Sequence, residues 1–346
     1  MAFNVQWRSP SNIAIVKYWG KLKNQIPMNA SISFTLSQSY SEMKIIAHPK
    51  AEDLVSENSF YFEGIRNDNF GKKTLLFLEK MSDSMPWIKD FHFEIYSSNS
   101  FPHSAGIASS ASSMSALALC IMSLEEMHFD KKIPKEQFLI KASELARKAS
   151  GSASRSLFPK LSLWGELSSV DNSSDEYAID ISHQLNSFFE DIQDAIFLVN
   201  QNEKSVSSSA GHELMNDHVY REVRIQQAND NVLKLLHAMK HGSWNEFVEI
   251  CEEEALSLHG LMMSSRPGYL LLEGDSIRLI HFIRRMRKEH GIPVTFTIDA
   301  GPNIHMLYPK SAHVKIIELV QLEFPEYISQ NRIIFDHIGL GPKRLI

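Results

Sequence analysis

Cysteine is scarce in this sequence. Cys120 and Cys251 are the only two cysteines among 346 residues, and they have no CxxC spacing. This scarcity excludes a disulfide framework and a zinc knuckle, and it predicts a reducing compartment. Long apolar runs are also lacking, at the amino terminus and elsewhere, so the sequence predicts neither a signal peptide nor a membrane-spanning segment. We therefore expect a cytoplasmic protein that has no membrane partner.

A strong excess of one charge is lacking as well. The chain has 35 Lys and Arg against 41 Asp and Glu, a formal net charge of −6. A mildly acidic protein is a poor partner for nucleic acid, although a small anionic ligand needs only a local basic pocket. With 43% hydrophobic and 22% charged residues, the composition indicates a folded globular chain of one large domain or two intimate lobes.

Two other features could suggest ligands but are explained more simply. His237 and His241 are spaced i,i+4, yet no HExxH motif or third ligand accompanies them, so they do not predict a metal site. The basic run at 284–288 falls in the last turns of a predicted helix, where cations oppose the helix dipole. It therefore does not predict a nucleic-acid surface.

Helical spacing of apolar residues occurs in several long segments. It predicts helices over 110–127, 213–239 and 277–290, among others. For the helix over 277–290, the sequence predicts Asp275 as the N-cap and a stop at Gly291.

Strand patterns occur between the helical segments. Alternation of polar and apolar residues at 42–48 and 91–96 predicts half-buried strands. The fold class is therefore α+β, with helices covering one face of antiparallel sheets. The polar connector at 168–176 predicts a surface loop shortly before a boundary that divides the chain into lobes at 1–190 and 191–346.

A segment rich in small residues, 98–113, leads from a predicted strand into the helix that starts near Ser110. Glycine and alanine let a backbone approach a ligand closely, and a helix N-terminus offers unpaired N–H groups and a positive dipole end. This pattern is typical of a phosphate-binding loop, although the Walker pattern is missing. The alternative is a serine-rich capped turn followed by a core helix.

Three other segments place a single charge among small or apolar residues. Ser150–Ser156 combines hydroxyl groups with Arg155, whose guanidinium suits a carboxylate or a phosphate. A tight turn with a solvated Arg155 is the alternative. Asp299 follows an apolar strand and precedes Gly-Pro, which is typical of an active-site acid and also of a turn-starting residue. Lys17 follows an apolar run, where a buried ammonium needs a carboxylate partner.

Taken together, these segments resemble mevalonate diphosphate decarboxylases, a family within the GHMP kinase superfamily. The resemblance extends in the right order over roughly residues 7 to 310. The matching motifs are Asn12-Ile13-Ala14, Lys17-Tyr18-Trp19-Gly20-Lys21, Pro27–Leu36, Phe101-Pro102, Ala105–Ala111, Ser150–Ser156, Asp299-Ala300-Gly301-Pro302-Asn303 and, more weakly, Val206–Gly211.

The resemblance implies a fold and a reaction. The expected fold has two lobes, a ribosomal-protein-S5-like N-terminal lobe and a ferredoxin-like C-terminal lobe. The expected enzyme uses ATP and Mg²⁺ to phosphorylate the C3 hydroxyl of mevalonate 5-diphosphate, and loss of phosphate and CO₂ then gives isopentenyl diphosphate in isoprenoid biosynthesis. The family also implies a homodimer.

The resemblance further implies roles for individual residues. Asp299 would lie beside the C3 hydroxyl, Lys17 would pair with Asp299, and Arg155 would bind the C1 carboxylate. The implied substrate-binding residues are Tyr18, Trp19, Gly20, Lys21, Lys73, Ser150, Gly151, Ser152, Ala153, Ser154 and Ser209. The implied ATP-binding residues are Pro102, Ala105, Gly106, Ala108, Ser109, Ser110 and Ser208, with Ser110 a candidate hydroxyl on the metal side.

Four departures from the family pattern surround the diphosphate and nucleotide ends of the expected site. They are Pro159-Lys160 where glycines are common, Ser209 for Thr or Arg, His212 for Met, and Lys73 for Arg. They leave open a sibling enzyme, either a mevalonate monophosphate decarboxylase or a kinase that stops at phosphorylation. A catalytically silent relative that binds nucleotide or a partner protein is the alternative from another class. The presence of Lys17, Arg155 and Asp299 argues against the silent relative and the pure kinase.

Overall fold

Two β-sheets with helices packed against them organise the structure. The structure, a computed structural model, describes residues 2–50, 57–102, 107, 109–200 and 206–346. The first sheet contains β1 (Phe3–Val16), β2 (Ser31–Pro49), β3 (Ser59–Phe62), β4 (Ile65–Arg66), β5 (Phe91–Asn99), β6 (Leu161–Trp164), β7 (Ala178–Asp180) and β12 (Lys343–Arg344). Its strands are ordered β12-β1-β2-β5-β3-β4, with β6 beside β2 and β7 beside β6, and only the β3–β5 pair is parallel.

The central strands of this sheet follow their sequence pattern. Along the second half of β2 and along β5, buried residues alternate with half-buried ones, as the alternation at 42–48 and 91–96 predicts. Buried apolar residues of both strands belong to a core that also contains buried apolar residues of the helix α2 (Ser109–His128). The α+β prediction is therefore confirmed for this half of the chain.

Strand β1 is a feature that the sequence pattern does not predict. Its register against β2 shifts between Pro10 and Asn12 and again between Ala14 and Val16. Proline donates no hydrogen bond to a ladder, and a bulge accommodates it. The second half of β1 is buried throughout, so its polar residues need partners inside the protein. The strand ends at Val16 and delivers Lys17 into the interior.

The three helices predicted above are present, but two of them start at other residues. The helices of the structure are α1 (Asp68–Met81), α2, α3 (Lys135–Ala149), α4 (Ser208–Glu213), α5 (Arg221–His241), α6 (Trp244–Ser264), α7 (Gly274–His290), α8 (His313–Glu323) and α9 (Pro325–Ser329). The predicted helix over 213–239 is wrong at its start, because the chain leaves α4 and begins α5 only at Arg221. The N-cap of α7 is Glu273 rather than Asp275, because Glu273 and Ser276 form a capping box. The predicted stop at Gly291 is confirmed, with a φ of 64°.

The second sheet is antiparallel. It contains β8 (Ile192–Phe197), β9 (Thr295–Thr297), β10 (Ile304–Pro309) and β11 (Ile333–His337) in the order β11-β8-β10-β9. Residues of these strands share a core with α7 and α8. A separate core lies between the two sheets and includes residues of β2, β6, β8, α5 and α6.

Asp336 joins the two sheets directly. It lies on β11 and is 2% exposed. Its carboxylate accepts hydrogen bonds from the backbone N–H groups of Ser37, Gln38 and Ser39 in β2, at 2.7–2.9 Å. Three such bonds fix the relative position of the sheets between which the candidate site lies.

No helix among the described residues has the length and apolar character that a membrane crossing requires.

Candidate active site

Lys17 and Asp299 form an ion pair between the two sheets. The Lys17 ammonium donates to Asp299 Oδ1 at 2.9 Å and to the carbonyl oxygen of Ala14 at 2.6 Å. The Lys17 side chain is 2% exposed, whereas that of Asp299 is 29% exposed. Asp299 follows β9 and Lys17 follows β1, so the ends of two strands bring together residues that are 282 positions apart. A buried cation therefore holds a carboxylate that solvent and ligands can reach.

Arg155 lies inside the protein, and no described residue forms an ion pair with it. It belongs to a 3₁₀-helix, Gly151–Leu157, and is 2% exposed, which excludes the solvated-turn interpretation of this segment. Its guanidinium donates to Ser31 Oγ at 2.6 Å and lies 5.7 Å from the ring centre of Trp164. Among the described residues no carboxylate lies within ion-pairing distance of it.

Burial dominates the electrostatics of Arg155. It lowers the pKa of the guanidinium to about 10, and the negative charge of Asp299 opposes this shift. A buried cation that pairs with no described carboxylate is well suited to bind an anion.

Tyr18, Trp19 and Gly20 surround the imidazole of His212. The ring centres of Tyr18 and Trp19 lie 4.4 and 4.6 Å from that of His212, and the Gly20 N–H donates to His212 Nδ1 at 2.9 Å. Burial lowers the pKa of His212 to about 3, and the charges of Lys21 and Arg155 act in the same direction. A neutral imidazole that accepts at Nδ1 carries its proton on Nε2.

Tyr18 is held in the same group of rings. Its ring centre also lies 4.7 Å from that of Trp164. Burial raises the pKa of the Tyr18 hydroxyl, against the charges of Arg155 and Arg147, so the phenol is neutral and can donate a hydrogen bond.

Lys21 and Lys73 supply two more cations. Lys21 is half-buried and Lys73 is exposed on α1. Desolvation of the ammonium, together with the charge of Lys21, lowers the pKa of Lys73. Neither lysine pairs with a carboxylate among the described residues. Two like charges that interact with each other and pair with no described carboxylate favour an anionic ligand.

The small residues before Arg155 form a compact turn. Ser150 and Ser152 are half-buried, whereas Gly151, Ala153 and Ser154 are buried. The Ser154 hydroxyl donates to the Gly151 carbonyl at 2.8 Å. A Cβ at Gly151 would lie 2.8 Å from the Trp164 ring and 2.9 Å from the Tyr18 hydroxyl oxygen, so only glycine fits beside these rings. Ser209 is exposed on α4.

The structure describes only part of the expected phosphate loop. Pro102 is exposed, Ser109 is half-buried as the first residue of α2, and Ser110 is exposed as the second. Ala105, Gly106 and Ala108 lie outside the described residues, and so does the side chain of Ser208. In the described ranges, no group of three His, Cys, Asp or Glu side chains could hold a metal ion by itself.

Two sequence features outside the site are accounted for by ordinary contacts. His237 and His241 stack on α5 with ring centres 4.2 Å apart. In the basic run, Arg284 and Arg287 pair with Glu252 at 2.8 and 2.7 Å.

Several residues that sequence reasoning missed support the site. Asn12 accepts from Arg155 Nε at 3.4 Å and donates to Ser156 Oγ at 2.8 Å. A ring nitrogen of His259 lies 3.1 Å from the Asp299 carbonyl oxygen. Glu254 is completely buried and contacts the Lys17 backbone. Asn12 belongs to a quoted motif, but Glu254 lies in an acidic run on a helix, where no sequence signal distinguishes it from a solvated residue.

Two family models match this chain. Residues 9–178 match the family described as diphosphomevalonate decarboxylase-like N-terminal domain, and residues 195–340 match the mevalonate 5-diphosphate decarboxylase C-terminal domain. The diphosphomevalonate decarboxylase of Debaryomyces hansenii is 28% identical over 338 residues, which cover 91% of this chain and 82% of that protein.

Solved structures resemble the whole chain. The mevalonate diphosphate decarboxylase of Staphylococcus aureus has a TM-score of 0.84 at 29% identity, covering 100% of this chain and 99% of that one. A structure described as MDDEF in complex with MVAPP, AMPPCP and magnesium has a TM-score of 0.83 at 27% identity, with the same coverage. The two domain matches span most of the chain, with the N-terminal domain first and the C-terminal domain second. The chain belongs to the diphosphomevalonate decarboxylase family.

Proposed function

We propose that this protein decarboxylates mevalonate 5-diphosphate in an ATP-dependent reaction, giving isopentenyl diphosphate, ADP, phosphate and CO₂. The observation that carries the proposal is the buried Arg155, which has no carboxylate partner among the described residues and lies within electrostatic reach of the Lys17–Asp299 pair. Among the described residues, Arg155 thus has no paired carboxylate, and Asp299 is an acid close enough to act on its charge. A substrate that carries a carboxylate and a hydroxyl group fits both features.

Asp299 and Lys17 are the residues that we propose to act on the C3 hydroxyl. The carboxylate of Asp299, partly accessible to ligands, orients this hydroxyl or accepts its proton as the phosphoryl group is transferred. The Lys17 ammonium, at 2.9 Å from Asp299, offsets negative charge on the carboxylate and on the transferred group. A tertiary alcohol is a poor leaving group, whereas phosphate is a good one.

Arg155 is proposed to hold the C1 carboxylate in the second step. When phosphate leaves C3, the electrons of the bond between C1 and C2 form the new double bond, and C1 departs as CO₂. A guanidinium fixed by Ser31 and Trp164 keeps that bond aligned with the leaving phosphate. Ser150 and Ser152, half-buried in the turn before Arg155, are proposed to support the same carboxylate.

The diphosphate is proposed to lie at Tyr18, Lys21, Lys73 and Ser209. Lys21 and Lys73, which pair with no carboxylate among the described residues, support this assignment most directly. The remaining residues are proposed to shape the wall of the substrate site. They belong either to the turn before Arg155 or to the group of rings around His212. They are Trp19, Gly20, Gly151, Ala153 and Ser154.

ATP with Mg²⁺ supplies the phosphoryl group when bound. Two parts of the chain are proposed to hold the ATP phosphates, the segment from Pro102 to Ser110 and the residue Ser208. The start of α2 offers backbone N–H groups for this purpose. The described residues offer no cluster of protein ligands that could replace phosphate oxygens around the metal. This fits Mg²⁺, which usually keeps waters and phosphate oxygens as ligands, with the Ser110 hydroxyl as a candidate on the metal side. The solved relative that contains MVAPP, AMPPCP and magnesium supports the same set of ligands.

The experiment that tests the function offers mevalonate, its 5-phosphate and its 5-diphosphate separately with ATP and Mg²⁺ and measures ADP and CO₂. We expect rapid formation of both products from the diphosphate alone. Equal turnover of the monophosphate would favour the sibling decarboxylase, ADP without CO₂ would favour a kinase, and neither product would favour a silent relative.

A matched pair of lysine variants locates the diphosphate. Lys73→Met should raise the KM for the diphosphate substrate, because a cation without a counter-ion is lost. Lys72→Met, the exposed neighbour on the same helix, should leave it unchanged. Equal effects of the two variants would contradict the assignment of Lys73.

We also propose that the lobes divide near residue 190 and that the protein is a cytoplasmic homodimer. Apart from β12, which returns to the first sheet, the strands of the first sheet all precede those of the second along the chain. The change from β7 to β8 supports a division between residues 180 and 192. The dimer follows from the family resemblance, and light scattering that gives the 39.4 kDa mass of a single chain would contradict it.

A further inference from the structure

The backbone of Lys17 leaves the sheet at the point where its side chain enters the site. Strand β1 ends at Val16, so the peptide groups of Lys17 have no partner in the ladder. Its N–H donates instead to Glu254 Oε2 at 2.9 Å. Its carbonyl oxygen accepts from Arg224 Nη2 at 3.2 Å and from Asn29 Nδ2 at 2.9 Å. Side chains of two helices and of Asn29, in the loop before β2, thus replace the neighbouring strand.

Glu254 and Arg224 also bind each other, and we call them the Glu254–Arg224 pair. Glu254 lies on α6 and Arg224 on α5, and they are 0% and 2% exposed. Two parallel bonds of 2.8 and 2.6 Å join guanidinium and carboxylate, and Asn231 Nδ2 donates to Glu254 Oε1 at 2.8 Å. A buried ion pair is a costly way to gain stability, because desolvation offsets most of the attraction. Its geometry therefore calls for another role.

We infer that the Glu254–Arg224 pair is a positioning device for Lys17, an inference that rests on the proposed function. The pair binds the N–H and, together with Asn29, the carbonyl group of Lys17, and a backbone held at both groups restricts where the ammonium can lie. The ammonium then meets Ala14 O at 2.6 Å and Asp299 Oδ1 at 2.9 Å. Glu254 and Arg224 do not touch the substrate in this arrangement. They act through Lys17, and a misplacement of about 1 Å at such a group can cost on the order of 10²-fold in rate.

The chain contains a matched control for this role. Glu252 lies on α6, is 7% exposed, and binds Arg284 and Arg287 at 2.8 and 2.7 Å. It is a buried, doubly paired carboxylate two residues before Glu254, and it makes no contact with Lys17. A purely structural role predicts similar effects for Glu252→Gln and Glu254→Gln.

The first measurement needs neither substrate nor activity. Wild-type protein and variants without substrate are treated with acetic anhydride, and mass spectrometry follows acetylation of Lys17. Glu254→Gln should increase the acetylation rate at Lys17 by at least about tenfold, because the backbone loses a charge-assisted bond. Glu252→Gln should leave the rate unchanged. If Glu254→Gln does not fold, Arg224→Lys replaces it in this measurement, because it keeps the charge but cannot form both bonds to Glu254. Equal Lys17 acetylation in the Glu252 and Glu254 variants would overturn the inference.

The second measurement is a double-mutant cycle with Lys17→Arg, using CO₂ release from mevalonate 5-diphosphate. Glu254→Gln should lower kcat by about 10- to 100-fold with little change in KM, and it should cost much less when Lys17 is already replaced. Glu252→Gln should change kcat by the same small factor in both backgrounds. Additive losses for Glu254 and Lys17 would overturn the inference and leave the proposed function intact. If the wild-type protein releases no CO₂, the proposed function fails, and the acetylation measurement still decides the inference.

Discussion

Asp299→Asn removes a single charge at the point where the proposed chemistry takes place. The asparagine keeps the size of the side chain and an oxygen that can accept from the Lys17 ammonium, now 2.9 Å from the carboxylate. The Ala14 carbonyl, at 2.6 Å, still accepts from the same ammonium. The substitution therefore removes the base and the counter-charge while the local hydrogen bonds are retained.

The structure sets the expected size of the effect. Two unit charges 2.9 Å apart attract by about 6 kcal/mol at an effective dielectric constant of about 20. Most of this attraction is offset by desolvation, and the Asp299 side chain is 29% exposed. We therefore expect a loss of about 2 kcal/mol in the free energy of unfolding, below the 3–5 kcal/mol found when a fully buried pair is broken. The rate should fall by at least about 10²- to 10⁴-fold, the contribution of a positioned acid or base.

The assay follows ADP by a coupled reaction and CO₂ by release of label from C1 of the substrate. Both products should decrease together, because decarboxylation depends on prior phosphorylation. Lys17→Met should cause a similar loss that is not additive with Asp299→Asn, since the two residues act as a unit.

Asp275→Asn is a suitable control, because Asp275 is 33% exposed and pairs with Arg278 at 2.9 Å, outside the site. This control should keep its activity. Near-normal turnover in a folded Asp299→Asn protein would show that Asp299 only starts a turn, and the proposed mechanism would be wrong.

Three further predictions concern other buried groups. Arg155→Lys should lower kcat/KM about 10- to 100-fold although the charge is kept, because one ammonium cannot form two parallel bonds to a carboxylate; parent-like kinetics would refute its role. The His212 pKa of about 3 lies below the 6.5 of an unfolded chain, so the unfolded state takes up protons first and stability falls as the pH decreases below 6.5. Between pH 7 and pH 5, the free energy of unfolding measured with urea should decrease by about 2 kcal/mol from this cause. The decrease should disappear in His212→Gln. The same pH dependence in that variant as in the wild-type protein would contradict the prediction. Asp336→Asn should destabilise the protein by about 3 kcal/mol, because the amide NH₂ group would face the Ser39 N–H, which now donates to a carboxylate oxygen at 2.7 Å. A decrease of less than about 1 kcal/mol in the free energy of unfolding, measured by thermal unfolding, would show that this contact does not join the sheets.

The local features of the fold could be predicted from the sequence. The alternation along β2 and β5 and the stop at Gly291 depend on neighbouring residues only, so the pattern carries them. Two boundaries could not be predicted in this way. The sequence over 213–220 has helical spacing, yet the chain turns there, and α7 begins at Glu273 because a capping box forms with Ser276.

The sequence by itself determined the residue types of the site and, through the order of its motifs, the family to which they belong. Lys17 and Asp299 are recognisable in this way although 282 positions separate them. Only the tertiary structure decided which charges meet and which remain without a partner. Glu254 and Glu252 look alike in one acidic run, but one contacts the Lys17 backbone and the other binds two arginines. The crossing of α5, α6 and the end of β1 produces that difference, because charge pairing in the interior depends on distances that packing sets and no local pattern contains.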